Sequence, residues 1–98
     1  MHKINTVIIG GGISGLSAGH FLNKKGVNFI LLESDNKIGG VIKTVNKNGF
    51  IFENGPNTIL NNNSSIDKLI NDHKLQNNII YPNLKSNSKR FLFFKDNP

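Results

Sequence analysis

The sequence predicts an α/β fold that opens on a parallel βαβ unit, and three observations carry that reading. An apolar, β-branched run, Lys3–Ile9, leads directly into Gly10-Gly-Gly-Ile-Ser-Gly15. Residues of helical character follow, Leu16 to Lys25. A second apolar run, Val27–Leu32, then completes strand, glycine turn, helix and strand within about 30 residues, the length of one βαβ unit.

Each element has its own justification. Lys3–Ile9 and Val27–Leu32 are short and continuously apolar toward their ends, as strands buried on both faces of a parallel sheet are. In the helix, Gly15, Ala18, Gly19 and Leu22 recur at i, i+3, i+4 and i+7, a small-residue face that allows close approach to a sheet. Gly26 is placed as the C′ residue that ends it. Beyond Glu33 the pattern changes. Asn36–Gly40 reads as a loop, and Val41–Val45 with Phe50–Glu53 as a hairpin turning at Asn48-Gly49. Gly55-Pro56-Asn57-Thr58 reads as a further turn. Ser64-Ser-Ile-Asp67 has the form of a capping box with Asp in place of Glu. Ile66, Leu69, Ile70 and His73 then share one helical face, and Ile79–Tyr81 and Phe91–Phe94 are strand candidates.

Composition excludes several function classes. There is no cysteine, hence no disulfide framework and no thiolate chemistry. No apolar run approaches the roughly 20 residues of a membrane span, and the stretch before Gly10 is too short and polar for a secretory signal. A cytoplasmic chain is expected. The balance of 12 basic to 6 acidic residues gives a formal charge of +6. Yet Asn, Ile and Lys, all with A/T-rich codons, supply 41 of the 98 residues, and the lysines are scattered. The charge therefore reads as compositional drift plus solvated surface, not as a nucleic-acid site. His2, His20 and His73 lack metal-ligand spacing, and His20 is read as partly exposed helix surface.

The chemistry sits in the first forty residues. In Gly10-x-Gly12-x-x-Gly15 the first glycine permits the tight turn after the strand. Gly12 lets a pyrophosphate approach the backbone, and Gly15 lets helix and strand pack closely. With Gly11, Ile13 and Ser14 these residues present backbone N–H groups at a helix N-terminus, where the dipole favours anions. Glu33 follows at the end of the second strand, 18 residues after Gly15, with Ser34 beside it. A carboxylate there accepts from a ribose hydroxyl and repels a 2′-phosphate, which argues against NADP. The motif by itself does not choose between NAD and FAD.

The next residues do. Lys37-Ile-Gly39-Gly40-Val-Ile-Lys43-Thr44 resembles the second fingerprint of glutathione-reductase-like, amine-oxidase-type flavoproteins. Val41-Ile-Lys-Thr with Gly49-Phe-Ile-Phe-Glu-Asn-Gly55-Pro-Asn-Thr58 is similar to the protoporphyrinogen oxidase family of heme and chlorophyll biosynthesis. So are Ile66-Asp-Lys-Leu-Ile with Leu75, and Lys89-Arg-Phe-Leu. The resemblance runs over nearly all of the chain, which would correspond to the N-terminal part, residues 1–98, of a truncated FAD/NAD(P)-binding domain. The family's Gly before that leucine is missing in His73-Lys74-Leu75, which leaves the helix end there open.

The resemblance implies an oxidoreductase with FAD as cofactor, a tetrapyrrole substrate and oxygen as acceptor. The fold it implies is a Rossmann-like FAD-binding βαβ unit, a β-hairpin and a short helix in an incomplete sheet. Gly10–Gly15, Glu33, Ser34, Gly39, Gly40 and Gly55–Thr58 match FAD-contact positions. Lys43 matches a position that faces a substrate propionate in some relatives, a solvated strand lysine being the other reading. No catalytic residue and no metal ligand is assigned. Alternatives from other classes are a non-catalytic nucleotide-binding fragment, or the N-terminus of a carotenoid desaturase or amine oxidase. A chain of this extent, with open sheet edges, is expected to be loosely folded and inactive alone. The remainder of the enzyme is its expected partner, and membrane contact is expected only through regions outside the chain.

Overall fold

The structure, a computed structural model, describes residues 3–60 and 62–87. Two units can be distinguished, Met1–Asn62 and Asn63–Pro98. The first holds β1 (Thr6–Ile9), α1 (Ile13–Lys24), β2 (Phe29–Leu32), β3 (Thr44–Lys47) and β4 (Phe50–Glu53). The second holds α2 (Ser64–Asp72), a 3₁₀ turn at Gln76–Asn78 and the short α3 (Leu84–Asn87).

β1 and β2 pair in parallel, Thr6 opposite Phe29 and Ile9 opposite Leu32. Both strands are shorter than the apolar runs suggest, although the Asn5 N–H still bonds to the Asn28 carbonyl at 3.1 Å. α1 starts earlier than expected because Gly12 already acts as its N-cap. The helix lies on the face carrying Ile8 and Phe29. A Cβ on the buried Gly19 would sit 2.9 Å from the Phe29 ring, and one on Gly15 would sit 3.2 Å from Ile8 Cγ2. Ala18 stays exposed, so the packed face narrows to Gly15, Gly19 and Leu22. The other sheet face is open. Val7, Ile9, Ile30 and Leu32 are exposed, Ile9 by 87%. The expected two-sided burial of these strands is thus corrected: one helix covers one side only.

The hairpin matches its turn signal and departs from its expected start. Asn48 and Gly49 both have positive φ, 53° and 82°, as a two-residue type I′ turn requires. The first strand, expected at Val41–Val45, is instead Thr44–Lys47. Gly39 and Gly40 turn with φ of 120° and 61°, and the Ile42 N–H bonds back to the Gly39 carbonyl at 3.2 Å. Val41 and Ile42 are consumed in that turn. Lys43 lies just before the strand, though its carbonyl accepts the Asn54 N–H at 2.7 Å. At the far end, the Thr44 hydroxyl bonds to the Glu53 carboxylate at 2.9 Å across the ladder.

The expected turn at Gly55–Thr58 is a bend at Asn54–Gly55, followed by irregular, exposed chain. In the second unit the N-cap of α2 is Asn63, not Ser64: its Oδ1 accepts the N–H groups of Ser65 (2.9 Å) and Ile66 (3.3 Å). Asp67 is therefore one residue too late to complete a capping box. Ile66, Leu69 and Ile70 are half-buried, whereas His73 is the exposed C-cap. Ile79–Tyr81 is not a strand, and Phe91–Phe94 lies outside the described residues. No helix among the described residues is long and apolar enough to cross a membrane.

Both longer helices end in the same motif. At α1 the Gly26 N–H bonds to the Asn23 carbonyl and the Val27 N–H to that of Leu22, each at 3.0 Å. At α2 the Lys74 N–H bonds to Asn71 (3.1 Å) and the Leu75 N–H to Ile70 (2.9 Å). These are Schellman pairs, whose C′ residue must take positive φ. Gly26 does so freely at 68°; Lys74 does so at 56° while carrying a Cβ. This settles the helix end that the missing glycine left open. Lys74→Gly is expected to stabilise α2 by about 1 kcal/mol, and Gly26→Ala to destabilise α1 by a similar amount. Denaturation followed by amide exchange at Leu75 and Val27 checks both; slower exchange at Val27 in Gly26→Ala would contradict the assignment.

Candidate functional site

The register of the first two strands builds the site. With Ile9 opposite Leu32, the next residues, Gly10 and Glu33, meet at the carboxyl ends of the parallel strands. In open α/β sheets that edge is where ligands bind. The Gly10 N–H continues the ladder to the Leu32 carbonyl at 2.7 Å, and its φ of 99° then swings the chain away from the sheet. The helix must begin at once. A Cβ on Gly15 would lie 2.0 Å from the Gly10 carbonyl oxygen, so the first helical turn packs directly on the turn before it.

The start of α1 faces outward as a set of donors. No side chain caps it, and the first intrahelical acceptor, the Gly12 carbonyl, takes the Leu16 N–H at 2.9 Å. The N–H groups of Gly12, Ile13, Ser14 and Gly15 thus have no intrahelical partner. A Cβ on Gly12 would meet only Gly40 Cα, at 4.0 Å. The outer side of the turn is therefore open to a group that approaches the backbone closely.

Glu33 closes the site from the second strand. Its Oε2 accepts the Gly11 N–H at 2.5 Å, and its Oε1 accepts the Asp35 N–H at 2.9 Å and the Ser34 hydroxyl at 3.3 Å. The Asp35 N–H, then the Gly11 N–H, hold the carboxyl below its usual pKa. The loop that follows lies over the glycine turn. The Gly39 N–H bonds to the Gly11 carbonyl at 2.8 Å, and a Cβ on Gly40 would sit 3.1 Å from Gly12 Cα. Gly10–Gly15, Glu33, Ser34, Gly39 and Gly40 are in this way brought into one constellation.

The remaining predicted positions fall elsewhere. A Cβ on Gly55 would be 2.0 Å from the Val41 carbonyl oxygen, so Gly55 packs on the turn after Gly40. Among the described residues no hydrogen bond joins Gly55–Thr58 to Gly10–Gly15. Lys43 lines an open cleft of about 360 Å³ together with Asp35, Lys37, Ile38, Ile42 and Val45. Sequence reasoning missed this cleft; its signal was the Gly39-Gly40 pair, which folds the two flanking segments toward each other. No cluster of metal-ligating side chains occurs among the described residues.

Two outcomes follow from this geometry. Gly15→Ala forces helix and strand apart and is expected to cost at least about 3 kcal/mol, above the usual range for overpacking, read by chemical denaturation. Glu33 is ionised more readily in the folded chain than in the unfolded one. Its contribution to stability is therefore complete above the ordinary glutamate pKa and is lost as pH falls through the depressed folded value. The Gly11 amide proton shift, followed during acid titration, is expected to move with that protonation; an invariant shift would show that the two groups are not bonded.

Comparison with known proteins agrees with this arrangement. Residues 8–72 match the NAD(P)-binding Rossmann-like domain. Coproporphyrinogen III oxidase of Bacillus subtilis is 38% identical over 86 residues, covering 78% of this chain and 18% of the relative. Protoporphyrinogen oxidase 2 of Arabidopsis thaliana is 32% identical over 97 residues, covering 93% of this chain and 19% of the relative. The flavin-containing amine oxidase A of Sus scrofa is 50% identical over 44 residues, covering 45% of this chain and 8% of the relative. The crystal structure of a candidate protoporphyrinogen oxidase from Exiguobacterium superposes with a TM-score of 0.68 at 32% identity, covering 79% of this chain and 18% of that one. The chain thus spans less than a fifth of the length of these relatives. With strand, glycine turn, helix and acidic strand end in the required order, it belongs to the NAD(P)-binding Rossmann-like domain family.

Proposed function

We propose that this chain grips the ADP portion of FAD for an oxidoreductase of the porphyrinogen oxidase type. The observation that carries the reading is the convergence on Gly11, whose N–H bonds to Glu33 and whose carbonyl takes the Gly39 N–H. A glycine turn that bound nothing would not need the acid and the second glycine pair on either side of it.

The residues present suit the cofactor. The free N–H groups of Gly12–Gly15 at a helix N-terminus would hold the pyrophosphate. Glu33 would accept a ribose hydroxyl, and Ser34 and the Gly39-Gly40 loop would flank the nucleotide. Gly55–Thr58 is assigned to the same cofactor through the resemblance. FAD, when bound, supplies hydride acceptance at its isoalloxazine ring; the protein's part is to orient it and keep competing reactions out. The flavin-containing relative supports FAD over NAD. The two porphyrinogen oxidases support a tetrapyrrole substrate; protoporphyrinogen IX, with oxygen as acceptor, is the fuller reading that the family resemblance implies. Lys43, exposed at the open cleft, is the candidate to meet a substrate carboxylate as a point charge.

Titration of the chain with FAD, ADP and 2′-phospho-ADP tests the nucleotide assignment. FAD and ADP are expected to bind, and the 2′-phosphate to weaken binding at least about tenfold through repulsion by Glu33. Gly12→Ala is expected to change stability by about 1 kcal/mol or less, since its Cβ meets open space. The same methyl group should nonetheless abolish FAD binding. Equal binding of FAD by Gly12→Ala would overturn the placement of the pyrophosphate. For the substrate, porphyrin fluorescence on mixing the chain, FAD and a porphyrinogen is expected to stay at the autoxidation rate. Turnover by these residues alone would contradict the expectation that the chain is inactive without the remainder of the enzyme.

A further inference from the structure

Glu33 carries more hydrogen bonds than a ribose acceptor needs. Its Oε1 is tied by Asp35 and Ser34 on its own strand end, which fixes the carboxylate plane. Its Oε2 reaches across 22 residues to the Gly11 N–H. Gly11 is itself buried, and a Cβ there would sit 3.0 Å from Glu33 Oε2 and 3.1 Å from Ile38 Cγ2. A side chain at this position would crowd both, and glycine lets carboxylate and backbone meet closely. On the other side of the same peptide, the Gly11 carbonyl takes the Gly39 N–H at 2.8 Å. Three consecutive glycines would otherwise have wide conformational freedom.

We propose that Glu33 is the positioning residue of the phosphate-binding turn: by holding the Gly11 N–H it fixes Gly10–Gly15 in the binding conformation before any ligand arrives. The inference rests on the nucleotide reading above, and deepens it by giving Glu33 a role that does not involve the ribose. The roles are compatible, because Oε2 carries one hydrogen bond and a carboxylate oxygen can accept a second. A turn already in place loses less conformational entropy when it closes on a ligand, so affinity rises without a new contact.

The two roles predict opposite signs for a ligand that has phosphates and no ribose. If Glu33 served the ribose alone, removing its negative charge would leave inorganic pyrophosphate binding unchanged or tighten it. If it positions the turn, removing it weakens pyrophosphate binding in spite of the lost repulsion. The test compares the full chain with Glu33→Ala and Glu33→Gln, using calorimetric titration with ADP and with pyrophosphate and amide exchange without ligand. In Glu33→Ala the Gly11 amide is expected to exchange about tenfold faster and pyrophosphate to bind about tenfold more weakly. Glu33→Gln keeps an acceptor oxygen, and both values should remain within about threefold of the parent, with the Gly11 amide proton shifted upfield by loss of the charged acceptor. Unchanged Gly11 exchange in Glu33→Ala, or pyrophosphate binding equal to or tighter than the parent's, overturns the proposal. Should Glu33→Ala not fold, an unmoved Gly11 proton in Glu33→Gln overturns it instead. If the parent chain binds neither ADP nor pyrophosphate, the nucleotide reading fails, while Gly11 exchange still decides whether Glu33 holds the turn.

Discussion

The contact on which the rest of the structure depends is the approach of Gly15 to the Gly10 carbonyl oxygen, where no side chain could stand. It makes the helix begin at the very end of the strand instead of after a loop. That placement directs the unpaired N–H groups of the first helical turn beyond the edge of the sheet, where an anion can reach them. Parallel pairing then does the rest. Once Ile9 is set opposite Leu32, Glu33 has one position, beside the turn, and its carboxylate meets the nearest available donor, Gly11. Two distant sequence features, the glycine turn and Glu33, become neighbours through a single register.

Much of this was legible in the sequence because it is encoded by residues with few alternatives. Gly10, through its positive φ, and Gly15, through its contact with the Gly10 carbonyl, mark a turn that other residues could not form, and Asn48-Gly49 specifies its turn type through positive φ. What was not legible follows from competition between neighbours. Val41 and Ile42 have strand character, yet Gly39 and Gly40 recruit them into a turn, so the strand begins at Thr44 and Lys43 lies outside it. Ser64 and Asn63 are both good N-caps; Asn63 wins because its longer side chain reaches two N–H groups at once. The end of α2 was hidden for the opposite reason. Lys74 adopts a conformation that its side chain disfavours, since two backbone hydrogen bonds outweigh that cost. Ile79–Tyr81 is apolar enough for a strand, but pattern alone cannot supply the partner that a strand requires.

The strands also carry a burial that these residues do not themselves provide. Val7, Ile9, Ile30 and Leu32 belong to runs whose composition suits a sheet covered on both sides, and α1 covers one. The hairpin repeats the pattern, with Phe50, Ile51 and Phe52 exposed on a two-stranded ribbon. An isolated ribbon of this kind is marginal in water. Among the described residues no hydrophobic side chain is fully buried, so local geometry carries more of the order than core packing does. The Gly15–Gly10 contact, the two Schellman ends and the type I′ turn are all local devices. They explain how the site can be well defined where a conventional core is lacking.

The hold on Glu33 also bears on specificity. A glutamate on a flexible loop could swing aside and admit a nucleotide with a 2′-phosphate, at the cost of one rotamer change. Glu33 is held at both oxygens, by Asp35 and Ser34 on one side and Gly11 on the other. On the proposed reading, turning away would release the glycine turn and thereby loosen the N–H groups assigned to the pyrophosphate. A ligand that repels the carboxylate therefore weakens its own phosphate site. On the proposed reading, positioning the turn and rejecting the 2′-phosphate are two consequences of one hydrogen bond, and a change that relaxes the first must also relax the second.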